Sequence, residues 1–430
     1  MSYISFPPVP IKTEGMEQVR IPKMARIRQQ FDASRIENPT GILTEELKKN
    51  VGSLTGLEGK RIAITVGSRG IPHLDEIVLT TIQWLKARGA SPFIVPAMGS
   101  HGSACAEGQT AIVNSYGITE ERMGVPILST MEVTRLGTLD DGTPVYCDRY
   151  ASEADGLILL NKIKPHTDFK GRYESGLAKM MAIGLGNHKG ASMFHMMGMH
   201  TFSQRLPKVA EVFLEKLPIL FGIGVVQNAY DDLCVLEVIP SDVLLEREAA
   251  LLDIAKSRMG KFLFDDIDVL IVDEIGKNIS GAGLDPNVVG RNFSRNIHDV
   301  LHLQKLFIRG LTEETHHIGI GISLADITTR RCLNSIDFEA VWANAVTATV
   351  IQAGAIPMYA ENDREALMLA IRTCNGIDFG KARVVRIKNT LELSEIEVSE
   401  AIYDTLRERE DVHLLRAPQE MRFDEDGFLL

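Results

Sequence analysis

The sequence predicts an α/β protein: two α/β domains with mainly parallel sheets and an active-site cleft between them. Three observations carry this. At 430 residues the chain exceeds one ordinary core. Short β-branched runs ended by glycine alternate with stretches of helical period, the pattern of parallel strands joined by crossovers. The same pattern starts afresh at "DIDVLIVDEIGKNISGAG", past the middle of the chain. This divides the chain into a cofactor-binding and catalytic domain, 1–264, and a smaller domain, 265–430. The last roughly 30 residues are candidates to return to the first domain.

Each element follows from local pattern. The first 55 residues are mixed and proline-containing, with a helix expected around "TEELKKNVGSL". "RIAITVGSRG" reads as a buried strand, "LDEIVLTTIQWLKARG" as a helix stopped by Gly89, and "SPFIVPAMGSHG" as a second strand. A helix over 107–116, a short strand near "VPILS" and an Asp-Gly hairpin in "LGTLDDGTPVY" follow. "ADGLILLNKI" is another buried strand, succeeded by a Met-rich helix. "PILFGIGVVQN" and "CVLEVIP" are strands, then "DVLLEREAALLDIAKSRMG" is a helix. In the second domain "HIGIGIS", "IPMYA" and "ARVVRIKN" supply further strands. No internal repeat and no low-complexity tract is present.

Composition narrows the function classes. Acidic side chains outnumber basic ones 57 to 46, a net charge of −11, without a Lys/Arg run to offset it. Such a surface repels nucleic acid and anionic lipid, so neither is an expected partner. Five scattered cysteines without a CxxC give neither a disulfide framework nor a thiolate zinc site. The start lacks a basic region followed by an apolar one, and the uncharged stretch 340–360 is only weakly apolar. It reads as a buried helix running into a short strand. A reducing cytoplasm is the expected compartment, and the oligomeric state is left open.

Reactive side chains fall at strand ends. Arg69 lies just beyond "IAITV", His101 beyond "FIVPAM" and His166 beyond "LILLN", while Lys277 and Asn278 stand just beyond "VLIVDEI". Ligands of open α/β sheets bind outside the carboxyl ends of the strands. If the three first-domain strands are parallel, Arg69, His101 and His166 share one rim, and Lys277 can face them across a cleft. Each residue has a plainer reading as a turn arginine, a loop histidine or a surface histidine, but the plain readings fit less well together. Two histidines suit proton transfer near neutrality, and an arginine suits capture of a carboxylate.

Lys179 sits among Leu177, Ala178, Met180 and Met181. Burial lowers the pKa of a lysine and makes it nucleophilic. Taken alone, the local sequence fits better a helix lysine whose stem lies on the core while its amine reaches water. His188 and His195 are seven apart, about two helical turns, although "GLGNHKG" argues against a straight helix. Neutral imidazole suits nickel, zinc, copper or iron, so spacing does not choose the metal.

"MGSHGSACAEGQ" with "NKIKPHTDFKGRYESGLAKMMAIGLGNHKGASMFH" resembles the lactate racemase superfamily, the nickel-pincer-nucleotide-dependent racemases and epimerases. The likeness covers most of the chain. It implies a racemase or epimerase of a 2-hydroxy acid, with His101 and His166 as paired general acid/bases. Lys179 would carry the pyridinium mononucleotide through a thioamide. His195, sixteen residues on, would complete nickel coordination, with His188 as alternative. Arg69 matches the family's substrate-binding arginine, and Lys277, Asn278 and Arg291 are nominated beside it. The implied partners are the hydroxy acid and the enzymes that make the cofactor. Departures cluster around the substrate: Val66 replaces an aspartate and Gly102 an arginine, and the interval from His166 to Lys179 is longer. Two readings compete. One is a zinc or iron hydrolase with His101, His166 and His195 as ligands. The other is a non-catalytic protein that binds a hydroxy acid or nucleotide.

Overall fold

The computed structural model describes residues 3–68, 70–293 and 301–430. The chain divides into two compact units, Ala33–Met259 and Met1–Asp32 with Gly260–Leu430. The boundary expected near 264 falls at 259/260, and the first 32 residues join the C-terminal unit rather than opening the N-terminal one. The cause is a strand, β1 (Met24–Gln29), whose Arg26 and Arg28 alternate with buried Ala25, Ile27 and Gln29. Both arginines pair with Glu395.

The N-terminal unit alternates as the sequence predicts. Helix α1 (Pro39–Val51) is capped by Asn38, whose side chain accepts from the Gly41 amide. Then come β2 (Arg61–Val66), α2 (Leu74–Lys86), β3 (Ser91–Pro96) and α3 (Ala106–Ser115). A hairpin of β4 (Val133–Thr138) and β5 (Pro144–Asp148) turns through Gly142, with β6 (Gly156–Lys162) after it. Helices α4 (Asn187–Met196) and α5 (Phe202–Lys216), strands β7 (Ile219–Gln227) and β8 (Leu233–Pro240), and α6 (Leu244–Arg258) complete it. The sheet runs β3-β2-β6-β7-β8, parallel except for the antiparallel β7–β8 pair.

Period-two alternation gives this sheet two buried faces. Ile62, Ile64 and Val66 pack with Leu43, Leu47, Ile77 and Ile82 on one side. Ala63, Leu157 and Leu159 pack with Leu177, Met181, Leu206 and Leu251 on the other.

In the C-terminal unit the strands are β9 (Asp266–Val272), β10 (His302–Ile308), β11 (Ile327–Thr329), β12 (Met358–Ala360), β13 (Val384–Ile387), β14 (Glu395–Ser399) and β15 (Val412–Gln419). Their order is β12-β11-β10-β9-β13-β14-β1-β15. The first five are mutually parallel, and β14, β1 and β15 add antiparallel strands. The last residues therefore stay in this unit, because β15 pairs with β1.

"HIGIGIS" forms no strand, contrary to expectation; the strand lies just after it, at β11. Gly321 takes φ +102, and a Cβ on Gly283 would stand 1.7 Å from the Ile320 carbonyl oxygen. The glycines let this segment abut the backbone of 282–283, which leaves its own edge unavailable for pairing. Among the described residues no helix is long and apolar enough to cross a membrane.

Candidate active site of the N-terminal unit

Three parallel strands, β2, β3 and β6, end on one side of the sheet, with Val66 paired to Pro96. The loop after β3 turns through left-handed backbone at Gly99 and then at Gly102, Ser103 and Ala104 in succession. For Ser103 and Ala104 this conformation costs about 1–2 kcal/mol each, strain of the kind that gathers at functional loops. His101 lies within the loop and is exposed, its amide donating to the Met98 carbonyl at 3.2 Å. Arg69, expected on the same rim, falls outside the described residues.

The segment carrying Lys179 lies across these strand ends. After the helical turn Leu177–Lys179 the backbone widens into a π-turn over Met180–Gly184, a feature frequent at functional sites. Thr65 of β2 donates its hydroxyl to Met180 Sδ at 2.8 Å. The Gly99 amide donates to the Gly184 carbonyl at 3.0 Å, and a Cβ on Gly99 would meet the Ile183 carbonyl at 3.0 Å. The His101 loop and the segment after Lys179 are thus packed together at the ends of β2 and β3.

His166 is buried in a loop closed at its base by reciprocal Lys164–Ser175 backbone bonds of 2.9 and 3.1 Å. Its amide donates to Glu174 Oε2 at 2.8 Å, and its ring lies 4.3 Å from that of Phe169. The Asp168 amide donates to His166 Nδ1 at 3.0 Å, which puts the proton of the neutral ring on Nε2. Burial first, then the charges of Lys179, Lys164 and Lys170 and the neighbouring His195 ring, holds the imidazole well below its ordinary pKa. Burial raises the Asp168 carboxyl, with Lys179 opposing.

His195, on α4, also has its pKa lowered by burial and then by Lys179. It is therefore neutral, the form that binds a metal. Among the described residues its buried Nδ1 has no hydrogen-bond partner. His188, on the same helix, is exposed and approaches Ser192 Oγ at 3.4 Å. The electrostatic environment thus joins His166, Lys179 and His195, whereas His188 faces a recess with Met193, Met196 and Met197.

Sequence reading missed two buried carboxyls that support this group. Glu174 takes Lys256 Nζ at 2.9 Å and Lys170 Nζ at 3.5 Å. Glu248 of α6 accepts from the Ala178 amide at 2.8 Å, one residue before Lys179. A signal for Glu248 was present: it occupies the apolar stripe Leu244, Leu251, Leu252, Ala255, where a solvated carboxylate has no reason to sit.

Gly176, which opens the turn, has no room for a side chain, since a Cβ there would stand 2.2 Å from Glu248 Oε1. Gly176→Ala is therefore expected to lower stability by about 1–3 kcal/mol through overpacking. Thermal melting against the native protein measures it, and an unchanged melt refutes the contact.

The nominated residues of the C-terminal unit have local partners. Lys277 Nζ donates to Asn344 Oδ1 at 2.9 Å, and Asn278 Oδ1 accepts from Thr312 at 2.7 Å. Arg291 is bound to Asp326 at 2.6 Å and to the Gln304 carbonyl at 2.8 Å. Its guanidinium ties 291 to the strands around it. Among the described residues no three His, Cys, Asp or Glu side chains are grouped to hold a metal by themselves.

Residues 18–206 match the family model of the lactate racemase N-terminal domain. Among solved structures, the chain is similar to a Thermotoga maritima protein at 14% identity and TM-score 0.48, covering 73% of this chain and 82% of that one. It is also similar to the lactate racemase apoprotein from Thermoanaerobacterium thermosaccharolyticum at 14% identity and TM-score 0.42, covering 66% and 74%. No curated protein matches.

Proposed function

We propose that this chain, which belongs to the lactate racemase superfamily through its N-terminal domain, is a racemase or epimerase of a 2-hydroxy acid. The observation that carries the reading is the charge environment of Lys179, which His166, Asp168 and His195 all feel, with the His101 loop packed on the adjoining segment. The residues fit the family's cofactor: an amine amid neutral imidazoles, and a buried His195 nitrogen lacking a partner among the described residues, which is costly in a site that binds nothing. Lys179 would hold the nucleotide and His195 the nickel. When bound, a nickel-pincer pyridinium nucleotide supplies an acceptor for the substrate's Cα hydride, a far easier departure than that of a Cα proton beside a carboxylate.

The chain's own residues handle the hydroxyl proton. His101 and His166 form the acid/base pair, one withdrawing the proton as the carbonyl forms and the other returning it. His166 offers its Nε2 proton to the substrate oxygen in the arrangement described here. Accepting one there requires the bond from the Asp168 amide to open. Arg69 is proposed to hold the substrate carboxylate; Lys277, Asn278 and Arg291 remain the nominations within the C-terminal unit. The partners in this reading are the hydroxy acid and the cofactor-making enzymes, in a cytoplasmic setting.

A hydrolase with His101, His166 and His195 as metal ligands is disfavoured, because among the described residues no such three-ligand group exists. A non-catalytic binding protein predicts ligand stabilisation without stereochemical exchange. Peptide mass spectrometry after co-expression with the cofactor-making enzymes tests the reading. A nickel-bearing, nucleotide-sized adduct is expected on Lys179 and absent from Lys179→Arg. An unmodified Lys179 in protein that has taken up nickel rejects it.

A further inference from the structure

Helix α6 reaches the backbone beside both reacting groups. Glu248 accepts from the Ala178 amide at 2.8 Å, next to Lys179. About two turns on, Lys256 pairs at 2.9 Å with Glu174 Oε1, whose Oε2 accepts from the His166 amide at 2.8 Å. Packing alone does not explain either strut. Leu244, Leu251 and Leu252 already bury the helix face, and an apolar side chain at 248 would avoid desolvating a carboxyl. Directional polar bonds from one rigid element, the Lys256–Glu174 ion pair among them, specify geometry where apolar contacts permit sliding.

We propose that α6 sets the separation of Lys179 from His166, with Glu248 and Lys256 as its positioning residues. The proposal rests on the reading of Lys179 and His166 as reacting groups. Neither Glu248 nor Lys256 takes part in the chemistry itself: each acts through the backbone of its neighbour.

The test uses the full-length protein without cofactor, so its outcome is independent of turnover. Lys179 is labelled with trinitrobenzenesulfonate and His166 with diethylpyrocarbonate, and each rate is read by peptide mass spectrometry. Glu248→Leu is expected to change Lys179 labelling by about fivefold or more while His166 stays within about twofold. Lys256→Met is expected to do the reverse. Glu248→Gln and Lys256→Arg, which keep an acceptor and a cation, are expected to restore native rates. Should Glu248→Leu not fold, Glu248→Asp serves, since it withdraws the carboxyl from the Ala178 amide. Native rates in the folded Leu, Met or Asp variants overturn the proposal. So does an equal change at exposed Lys208, which signals general loosening, and so does a Gln or Arg variant that fails to rescue. Absence of a Lys179 adduct would overturn the enzyme reading and leave these rates standing.

Discussion

His166→Gln is expected to slow racemisation in both directions by about 10²–10⁴, the usual worth of a positioned acid/base, with the Lys179 adduct intact. Glutamine is the informative replacement. Its amide can present an N–H where imidazole Nε2–H stands, but it cannot take up a proton. The site gives the ring one orientation, through the Asp168 amide on Nδ1 and the face of Phe169. Burial keeps the ring neutral near pH 7, so its base form is not lost to protonation there. If His166 merely donates a hydrogen bond, His166→Gln stays within about tenfold of native while His166→Ala does not. That outcome would remove His166 from the proton-transfer pair and leave His101 to carry it. Rates from each enantiomer, with adduct occupancy measured on the same sample, separate the two cases.

The sequence revealed those parts of the molecule that local pattern dictates. β2, β3 and β6 are buried on both faces and read as continuous apolar runs, so their parallel pairing and common rim follow from composition. His101, His166 and Lys179 were visible because each lies just past or beside such a run. β1 escaped notice because Arg26 and Arg28 interrupt it, and its partners lie more than 360 residues away. Long-range pairing of that kind leaves no local trace. β10 was missed for a similar reason, since His302, Gln304 and Lys305 dilute its apolar end. The supporting carboxyls were hidden differently. Glu174 and Glu248 act on backbone amides, and no spacing rule ties a carboxyl to an amide 70 residues distant. The ion pair of Arg291 with Asp326, 35 residues on, leaves no local trace either.

Glu248→Gln is expected to abolish most of the loss of stability that the native protein suffers between pH 6.5 and pH 8. Burial raises the Glu248 carboxyl to about 8, with the amides of Ala178 and Leu177 pulling the other way. The native state therefore keeps a proton that the unfolded chain releases near 4.5. Such a group gives its full stabilisation below the unfolded value, loses it as pH rises toward 8, and changes nothing above that. Other shifted groups act outside this window. Asp148, raised to about 6, has completed its effect by then. His166 and His195 are lowered, so they matter below 6.5. Cys332 and Cys374, raised to about 11 and about 12, matter in the alkaline range. The native loss across the window is about 2 kcal/mol, or about 4–8 °C in the melting transition for a unit of this size. Glutamine does not ionise, so its melting temperature should stay level from 6.5 to 8. Its buried amide donors carry a penalty of about 1–3 kcal/mol that is the same at both pH values and cancels in the comparison. A native protein as insensitive to pH as the variant would mean that Glu248 is already ionised at pH 6.5, and that the turn before Lys179 is held by a buried anion.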